Sequence, residues 1–283
     1  MKLLTLNTHA WIEENQLEKI EQLAHFINEH DFDVISLQEV NQLMQEEALP
    51  ASELTYFYEA EENTVVKVDN YAYVLRRQLK HEYYWSYIPV HTGYEKYDEG
   101  LAILSKTPIQ EAFGAYVSNL RDYDNYRTRK IIGIKTVAAG IDTWFVNGHF
   151  GWWQDVEEPF KPQWEHSLAV MEKYIASKPA FIMGDFNNAA HIEGEGYSLV
   201  TQSGWQDCYE LAAQKDDGFT VVKAIAGWEE NEQKLRIDYV FTNREIPVLS
   251  SKVVLNGTDH PVVSDHSGVV VEIHDNDWKS TNG

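Results

Sequence analysis

Asp185 and Asn187 stand two apart in Gly184-Asp185-Phe186-Asn187, directly after the apolar run Ala180-Phe181-Ile182-Met183. Asp265 and His266 stand together in Ser264-Asp265-His266, before another apolar run near the far end of the chain. Upstream, Leu3-Leu4-Thr5-Leu6 ends in Asn7, and Val34-Ile35-Ser36-Leu37 ends in Gln38-Glu39. Runs that are apolar along their length read as strands covered on both faces, and their polar ends gather at one rim of a sheet where a ligand can reach them. Hydrolysis is the chemistry such a rim suits. Asn7, Glu39 and Asp265 make an oxygen-only donor set, which selects Mg²⁺ or Mn²⁺, as one or two ions, where zinc would want nitrogen or sulfur. If residues 185–187 are extended, Asp185 and Asn187 project from the same side, so that one can take a proton while the other holds water or phosphate. An Asx-turn would account for the same pair on structural grounds alone. No Ser or Cys sits in an activated setting, which leaves direct in-line attack of water without a covalent intermediate.

In chain order, Asn7, Gln38-Glu39, Asn147-Gly148-His149, Gly184-Asp185-Phe186-Asn187, Arg236-Ile237-Asp238-Tyr239 and Ser264-Asp265-His266 resemble the endonuclease/exonuclease/phosphatase superfamily. Gly100-Leu101-Ala102-Ile103-Leu104-Ser105 is similar to its mid-chain strand, and the resemblance spans residues 1 to about 273. It implies an α/β (α+β) fold, a four-layer αββα sandwich of two mainly antiparallel sheets packed face to face with flanking helices. It implies a divalent-metal-dependent phosphoester hydrolase, with Asn7, Glu39 and Asp265 at the metal. Asp185 would be the general base or orient the attacking water, with Asn187 as its neighbour. Asp238 would keep His266 oriented and protonated toward the scissile phosphate. His149 would stabilise transition-state charge or protonate the leaving group.

Two features bear on the substrate. The formal net charge is −22, whereas proteins that track a long polyanion gain affinity from clustered Lys and Arg. The loop after His149 carries Trp152, Trp153, Asp155, Glu157 and Glu158, and rings with carboxylates suit the faces and hydroxyls of a sugar; stacking on bases is the competing use. Arg129, Arg127, Lys130, Lys96 and Tyr97 are further candidates for gripping substrate, Arg through its forked donors. The start Met1 to His9 and the Trp-rich loop are most similar to the maltose 6'-phosphate phosphatase type within the superfamily. The expectation is therefore a Mg²⁺-dependent phosphomonoesterase of carbohydrate metabolism acting on a small sugar phosphate. The alternative is an endo- or exonuclease, or a sphingomyelinase-like phosphodiesterase.

The elements that must position these groups are legible from periodicity. Strands are expected at 2–7, 33–38, 84–90, 100–105, 180–184, 219–225, 235–242, 251–255 and 268–273, with a hairpin turning at Ala139-Gly140 between Lys130–Val137 and Thr143–Asn147. Helical spacing joins Leu17, Ile20, Ala24 and Ile27, and again Trp164, Leu168, Met171 and Ile175; Asp69-Asn70 can cap a helix carrying Ala72, Leu75 and Leu79. With 283 residues, 43% hydrophobic content and no long linker or repeat, one domain over residues 1–274 is expected, followed by a frayed tail from Asp275. The single Cys208 suits a reducing compartment, and the N-terminal residues lack the apolar core of a signal peptide. Cytoplasmic residence, no membrane segment and no obligate protein partner follow as expectations.

Overall fold

Leu3 and Leu4, Val34 and Ile35, Phe181 and Ile182 are consecutive apolar pairs, and side chains alternate sides along a strand, so each pair must find cover on both faces. The structure, a computed structural model, provides it; it describes residues 1–223 and 233–282. The chain begins β1 (Lys2–Asn7), α1 (Gln16–His30), β2 (Val34–Leu43), α2 (Tyr71–Arg76), β3 (Tyr84–Gly93), β4 (Tyr97–Ser105) and β5 (Glu111–Tyr116). It continues with β6 (Lys130–Ala138), β7 (Ile141–His149), α3 (Phe160–Tyr174), β8 (Ala180–Asp185), α4 (Gly196–Gln202), β9 (Gln206–Asp207) and α5 (Cys208–Leu211). β10 (Ala212–Lys215), β11 (Asp238–Thr242), β12 (Val248–Val254), β13 (Gly268–Glu272) and α6 (Asp275–Asn282) complete it.

Two mixed, mainly antiparallel sheets result, seven strands in the order β10-β12-β13-β1-β2-β4-β3 and six in the order β5-β6-β7-β8-β11-β9. The alternation assigns each apolar residue to a layer. Leu3, Val34, Leu101 and Ile103 of the first sheet meet Ile132, Phe145, Phe181, Met183 and Val240 of the second in a central core. Leu4, Ile35, Leu37 and Leu104 turn the other way, onto Ile20, Leu23 and Ile27 of α1 and Leu75 of α2. Ile131, Val146, Ile182 and Phe241 turn outward onto Phe160, Trp164 and Met171 of α3 and Val200 of α4. The expected four-layer αββα sandwich is the observed one.

One polar clamp crosses the central core just below the site. Asn147 of β7 is fully buried; its Nδ2 donates to Leu37 O at 2.7 Å and Ala102 O at 2.9 Å, and its Oδ1 accepts from Gln38 Nε2 at 2.8 Å. Leu37 and Ala102 are partners on β2 and β4 immediately before a bulge, where the register shifts between Leu37 and Val40. The bulge loosens the ladder, and the amide from the opposite sheet satisfies the carbonyls beside it.

Several expectations are corrected. The strand expected at 33–38 runs on through Glu39 to Leu43, so Glu39 lies inside β2 at its bulge, with φ 50°, and not after a strand end. Leu17 is 65% exposed; the buried stripe of α1 is Ile20, Leu23, Ala24, Phe26 and Ile27. Asn70 caps α2 as expected, accepting from Tyr73 N at 3.2 Å, but the helix ends before Leu79. The strand at 219–225 reduces to one bridge between Val221 and Leu235, and residues 224 and 225 lie outside the described residues. The tail is not frayed. Residues 275–282 form α6, because Trp278 is fully buried in the central core, 4.8 Å from the Phe181 ring, with its Nε1 on Thr143 Oγ1. No helix among the described residues is long and apolar enough to cross a membrane.

Two stability predictions follow from this packing. Trp278→Ala should cost about 3–5 kcal/mol through the cavity it leaves, read as a fall of several degrees in the thermal midpoint. Asn147→Ala should cost roughly 3 kcal/mol by stripping partners from buried carbonyls and from the Gln38 amide, with a matching fall in the urea midpoint.

Candidate active site

Strand register decides which polar ends meet. In the second sheet His149 is the parallel partner of Asp185, and Asp185 is the antiparallel partner of Asp238, so three strands present His, Asp and Asp side by side at one rim. In the first sheet Asn7 is the partner of Gln38, which places Glu39 beside it. The face-to-face packing then joins the rims: Asn7 Nδ2 donates to Glu39 Oε1 at 2.9 Å and to Asp185 Oδ2 at 3.1 Å. Gly184 makes the approach of β7 and β8 possible. Its φ is 144°, and a Cβ there would lie 1.9 Å from Gly148 O.

Asp185 Oδ2 is the hub. Besides Asn7, it has His149 Nε2 at 3.5 Å and His266 Nε2 at 3.7 Å. His266 Nδ1 lies 2.9 Å from Asp238 Oδ2, the Asp-His pair expected from the resemblance. Arg236, two residues before Asp238, bonds Asp207 and lies over the rings of Tyr197, Tyr209 and Tyr239. Residues 185–187 are not extended. Asn187 has φ 50°, and its backbone N–H donates to Asp185 Oδ1 at 2.8 Å, so the Asx-type bond forms within the site. The same turn aims the Asn187 amide at Phe150 O, 3.0 Å, and His149 Nε2, 3.2 Å. With Nε2 accepting from an amide, the His149 proton is assigned to Nδ1.

These groups open into a cavity of about 300 Å³, which Glu39, Asp185, Asn187, His149, Asp265 and His266 share with Arg129 and Trp152. Arg129 is 4% exposed, its Nε has no hydrogen-bond partner among the described residues, and its guanidinium lies 6.0 Å from the Trp152 ring. Other expected substrate contacts fall elsewhere. Trp153 packs against the core under α3. Lys96 is exposed at the β3–β4 turn, over the Tyr97 ring, while buried Tyr97 donates to Trp11 O. Arg127 is bound by Asp155, and Lys130 by Glu61 and Pro89 O. Neither Lys96 nor Tyr97 lines the cavity, whereas Tyr94 of the same turn does.

The cavity also contains residues that the sequence reading passed over. Glu99 and His91 are direct partners across β3 and β4, both buried, with His91 Nε2 3.4 Å from Glu99 Oε1. Tyr94 and Tyr126 form the rim, and Tyr94 OH meets His9 Nε2 at 3.1 Å. His9 in turn bonds Glu13 at 2.7 Å and lies 3.8 Å from Asp265. A signal was available for Glu99: β4 is antiparallel to β2, so the start of its apolar run lies at the same rim as the end of the other.

The electrostatics follow from carboxylates crowded away from water. Burial, with Glu99 and Asp265 nearby, pushes the Glu39 carboxyl up to about 7. Burial and Asp238 push Asp185 up to about 7, and burial alone raises Glu99 to about 7 against the pull of Arg129 and His9. Burial opposes charge on His266, but Asp238 and Asp185 outweigh it and hold the imidazole well above its ordinary value. His149 is pushed well below it by burial and by Arg129, and His91 falls to about 3 for the same two reasons. His149 and His91 are therefore neutral, and His266 is cationic.

Oxygen donors suit a hard cation here. Glu39 has no Lys or Arg in direct contact among the described residues, and Asp265 faces it from the cavity mouth. Such a pair fits Mg²⁺ or Mn²⁺, while Asn7 turns its Nδ2 to Glu39 and its Oδ1 accepts from His9 N at 3.2 Å. The carboxyls of Glu39, Asp185 and Glu99 titrate near 7 in the fold and near 4 when unfolded, so the folded chain holds more protons between those values and stability falls as pH rises through that window. Raised His266 acts in the same direction, and lowered His149 and His91 cease to contribute above about pH 6.5. The chelator-treated protein should therefore melt at a lower temperature at about pH 8 than at about pH 6.5, and added Mg²⁺ should narrow the gap, as scanning calorimetry can measure.

Comparison with known proteins agrees with this architecture. The sequence matches the Endonuclease/Exonuclease/phosphatase family over residues 14–266. An endonuclease/exonuclease/phosphatase family protein from Leptotrichia buccalis C-1013-b is 34% identical, with a TM-score of 0.84 over 97% of this chain and 99% of that one. At lower identity the fold is shared with a mannosyl-6-phosphatase from Bacteroides thetaiotaomicron VPI-5482, 17% identical with a TM-score of 0.70 over 97% of this chain and 99% of that one. It is shared also with truncated Caenorhabditis elegans TDP2, 15% identical with a TM-score of 0.60 over 95% of each chain. No curated relative matches the sequence. On the family match and the Leptotrichia relative, this chain belongs to the endonuclease/exonuclease/phosphatase family.

Proposed function

We propose that this chain is a Mg²⁺- or Mn²⁺-dependent phosphomonoesterase that removes phosphate from a small phosphorylated sugar, of the maltose 6'-phosphate type, in the cytoplasm. The observation that carries the reading is Arg129, a buried guanidinium whose Nε has no partner among the described residues, lining a cavity of about 300 Å³ with Asp185 and His266. Such a donor fork suits a phosphate oxygen pair, and the cavity's size suits a small molecule. The acidic total charge and the rim of Tyr94, Tyr126 and Trp152 favour a sugar over a nucleic-acid strand. The fold shared with a mannosyl-6-phosphatase is consistent with it. A nuclease or phosphodiesterase is the second reading, and the fold shared with TDP2 keeps it in the comparison.

Glu39, Asp265 and Asn7 would hold the cation, which when bound offsets charge on the phosphoryl and leaving oxygens. Asp185, with its carboxyl near 7, is matched to accept the proton of an attacking water at neutral pH, and Asn187 fixes its orientation. His266, cationic through Asp238, stabilises negative charge on the phosphoryl oxygens. His149 is neutral, so it serves as a hydrogen-bond donor to developing charge and not as a standing imidazolium. Water attacks phosphorus in line and its proton passes to Asp185; the bond from phosphorus to the sugar oxygen breaks, and that oxygen leaves as a hydroxyl with a proton from solvent water.

The test is phosphate release from a panel of sugar phosphates, with plasmid DNA and sphingomyelin as comparators, with and without EDTA. Sugar phosphates should be the best substrates, EDTA should abolish turnover and Mg²⁺ should restore it. Asp185→Asn and His266→Gln should each lower kcat by roughly 10²–10⁴-fold. Glu39→Gln should chiefly raise the Mg²⁺ concentration required. Normal turnover in Asp185→Asn, or DNA as the preferred substrate, overturns the reading.

A further inference from the structure

Glu99 is a carboxylate without a structural task. It is 7% exposed, it lines the cavity, and among the described residues no donor makes a hydrogen bond to it. Structural carboxylates in this chain look different: Asp207 is held by Arg236, and Glu158 accepts from the backbone N–H groups of Asn119 and Leu120. A buried carboxylate without donors costs free energy, so its retention points to a ligand that supplies them. The backbone is shaped around it. The register shift between Pro89 and His91 on β3 sets His91 directly opposite Glu99, and Gly93 leaves the room, since a Cβ there would lie 2.7 Å from Glu99 Oε2. His91 is 3% exposed and neutral, and its Nε2 stands 3.4 Å from Glu99 Oε1, near enough to share a ligand oxygen with it.

The chemistry of the missing partner can be stated. A phosphate would be repelled by Glu99, and Arg129 offers it a better place in the same cavity. A second carboxylate would be repelled as well. Neutral groups that donate hydrogen bonds are favoured, and vicinal hydroxyls on a ring that lies against Tyr94 and Trp152 meet that description. We propose that Glu99, backed by His91, is the specificity-determining group of this site, accepting hydrogen bonds from the hydroxyls of a sugar whose phosphate lies on Arg129. This rests on the phosphomonoesterase reading above and adds to it the residue that chooses the substrate.

The experiment compares wild type, Glu99→Gln and Glu99→Ala on the best hexose phosphate of the panel and on p-nitrophenyl phosphate, a phosphomonoester without hydroxyls. Removing a buried charge leaves Gln nearly isosteric, and circular dichroism with a melting curve confirms that both variants fold. The preference for the hexose phosphate, as a ratio of kcat/KM values, should fall about tenfold in the Gln variant and up to about a hundredfold in the Ala variant, mainly through KM. Equal losses on the two substrates overturn the inference while leaving the phosphomonoesterase reading in place. Wild type that releases no phosphate from any sugar phosphate overturns that reading first, so the two failures are distinguishable.

Discussion

Acidic groups brought together out of water repel one another and lose hydration, and that cost shapes the working end of this molecule. Glu39, Glu99, Asp185 and Asp265 line one cavity, with Asp238 directly behind His266. Among the described residues, Arg129 and the imidazolium of His266 lie between them as buried positive charge, with His9 at the same cavity. The rest of the fold holds the acids in place against that repulsion. A thirteen-strand framework is rigid enough to do so because both sheets are covered on both faces, leaving the rim no freedom to relax outward. On the proposed function, a cation at Glu39 and Asp265 and a phosphate on Arg129 would complete the charge balance that the protein leaves unfinished.

Polar devices inside an otherwise apolar sandwich give the site its shape. Asn147 fastens β7 to the carbonyls at the β2 bulge, and the bulge turns Glu39 toward the opposite sheet at φ 50°. A second register shift, between Pro89 and His91, places His91 against Glu99. Both irregularities lie at the same end of the same sheet. Regular strands would have alternated these side chains between the central core and the helix layers, where a carboxylate has no partner. The two register shifts of this sheet thus fall where Glu39 and Glu99 enter the cavity.

The two histidines beside Asp185 illustrate how environment assigns roles to identical groups. His266 has Asp238 at Nδ1 and is cationic; His149 has an amide at Nε2 and Arg129 nearby, and is neutral. One carries charge and the other offers a neutral donor, although both stand within 4 Å of the same carboxylate oxygen. That division follows from one carboxylate in contact with one ring and not with the other.

Sequence alone determined much of this protein. Apolar runs such as Ala180–Met183 read as strands buried on both faces, and the polar residues beside them, Asn7, Asp185 and Asp265 among them, as candidates for one rim. The order of those ends carried the family. Tertiary structure decided what local pattern cannot encode: that Glu39 lies within a bulged strand, that Trp152 faces the cavity while Trp153 packs inward, that Leu17 is left in water, and that Trp278 anchors the tail. It also decided that Glu99, unremarked at the start of β4, shares the cavity. Periodicity fixes which side of its own strand a residue occupies, but cross-strand register and sheet-on-sheet packing fix what it meets there, and those are set by contacts between residues far apart in the chain.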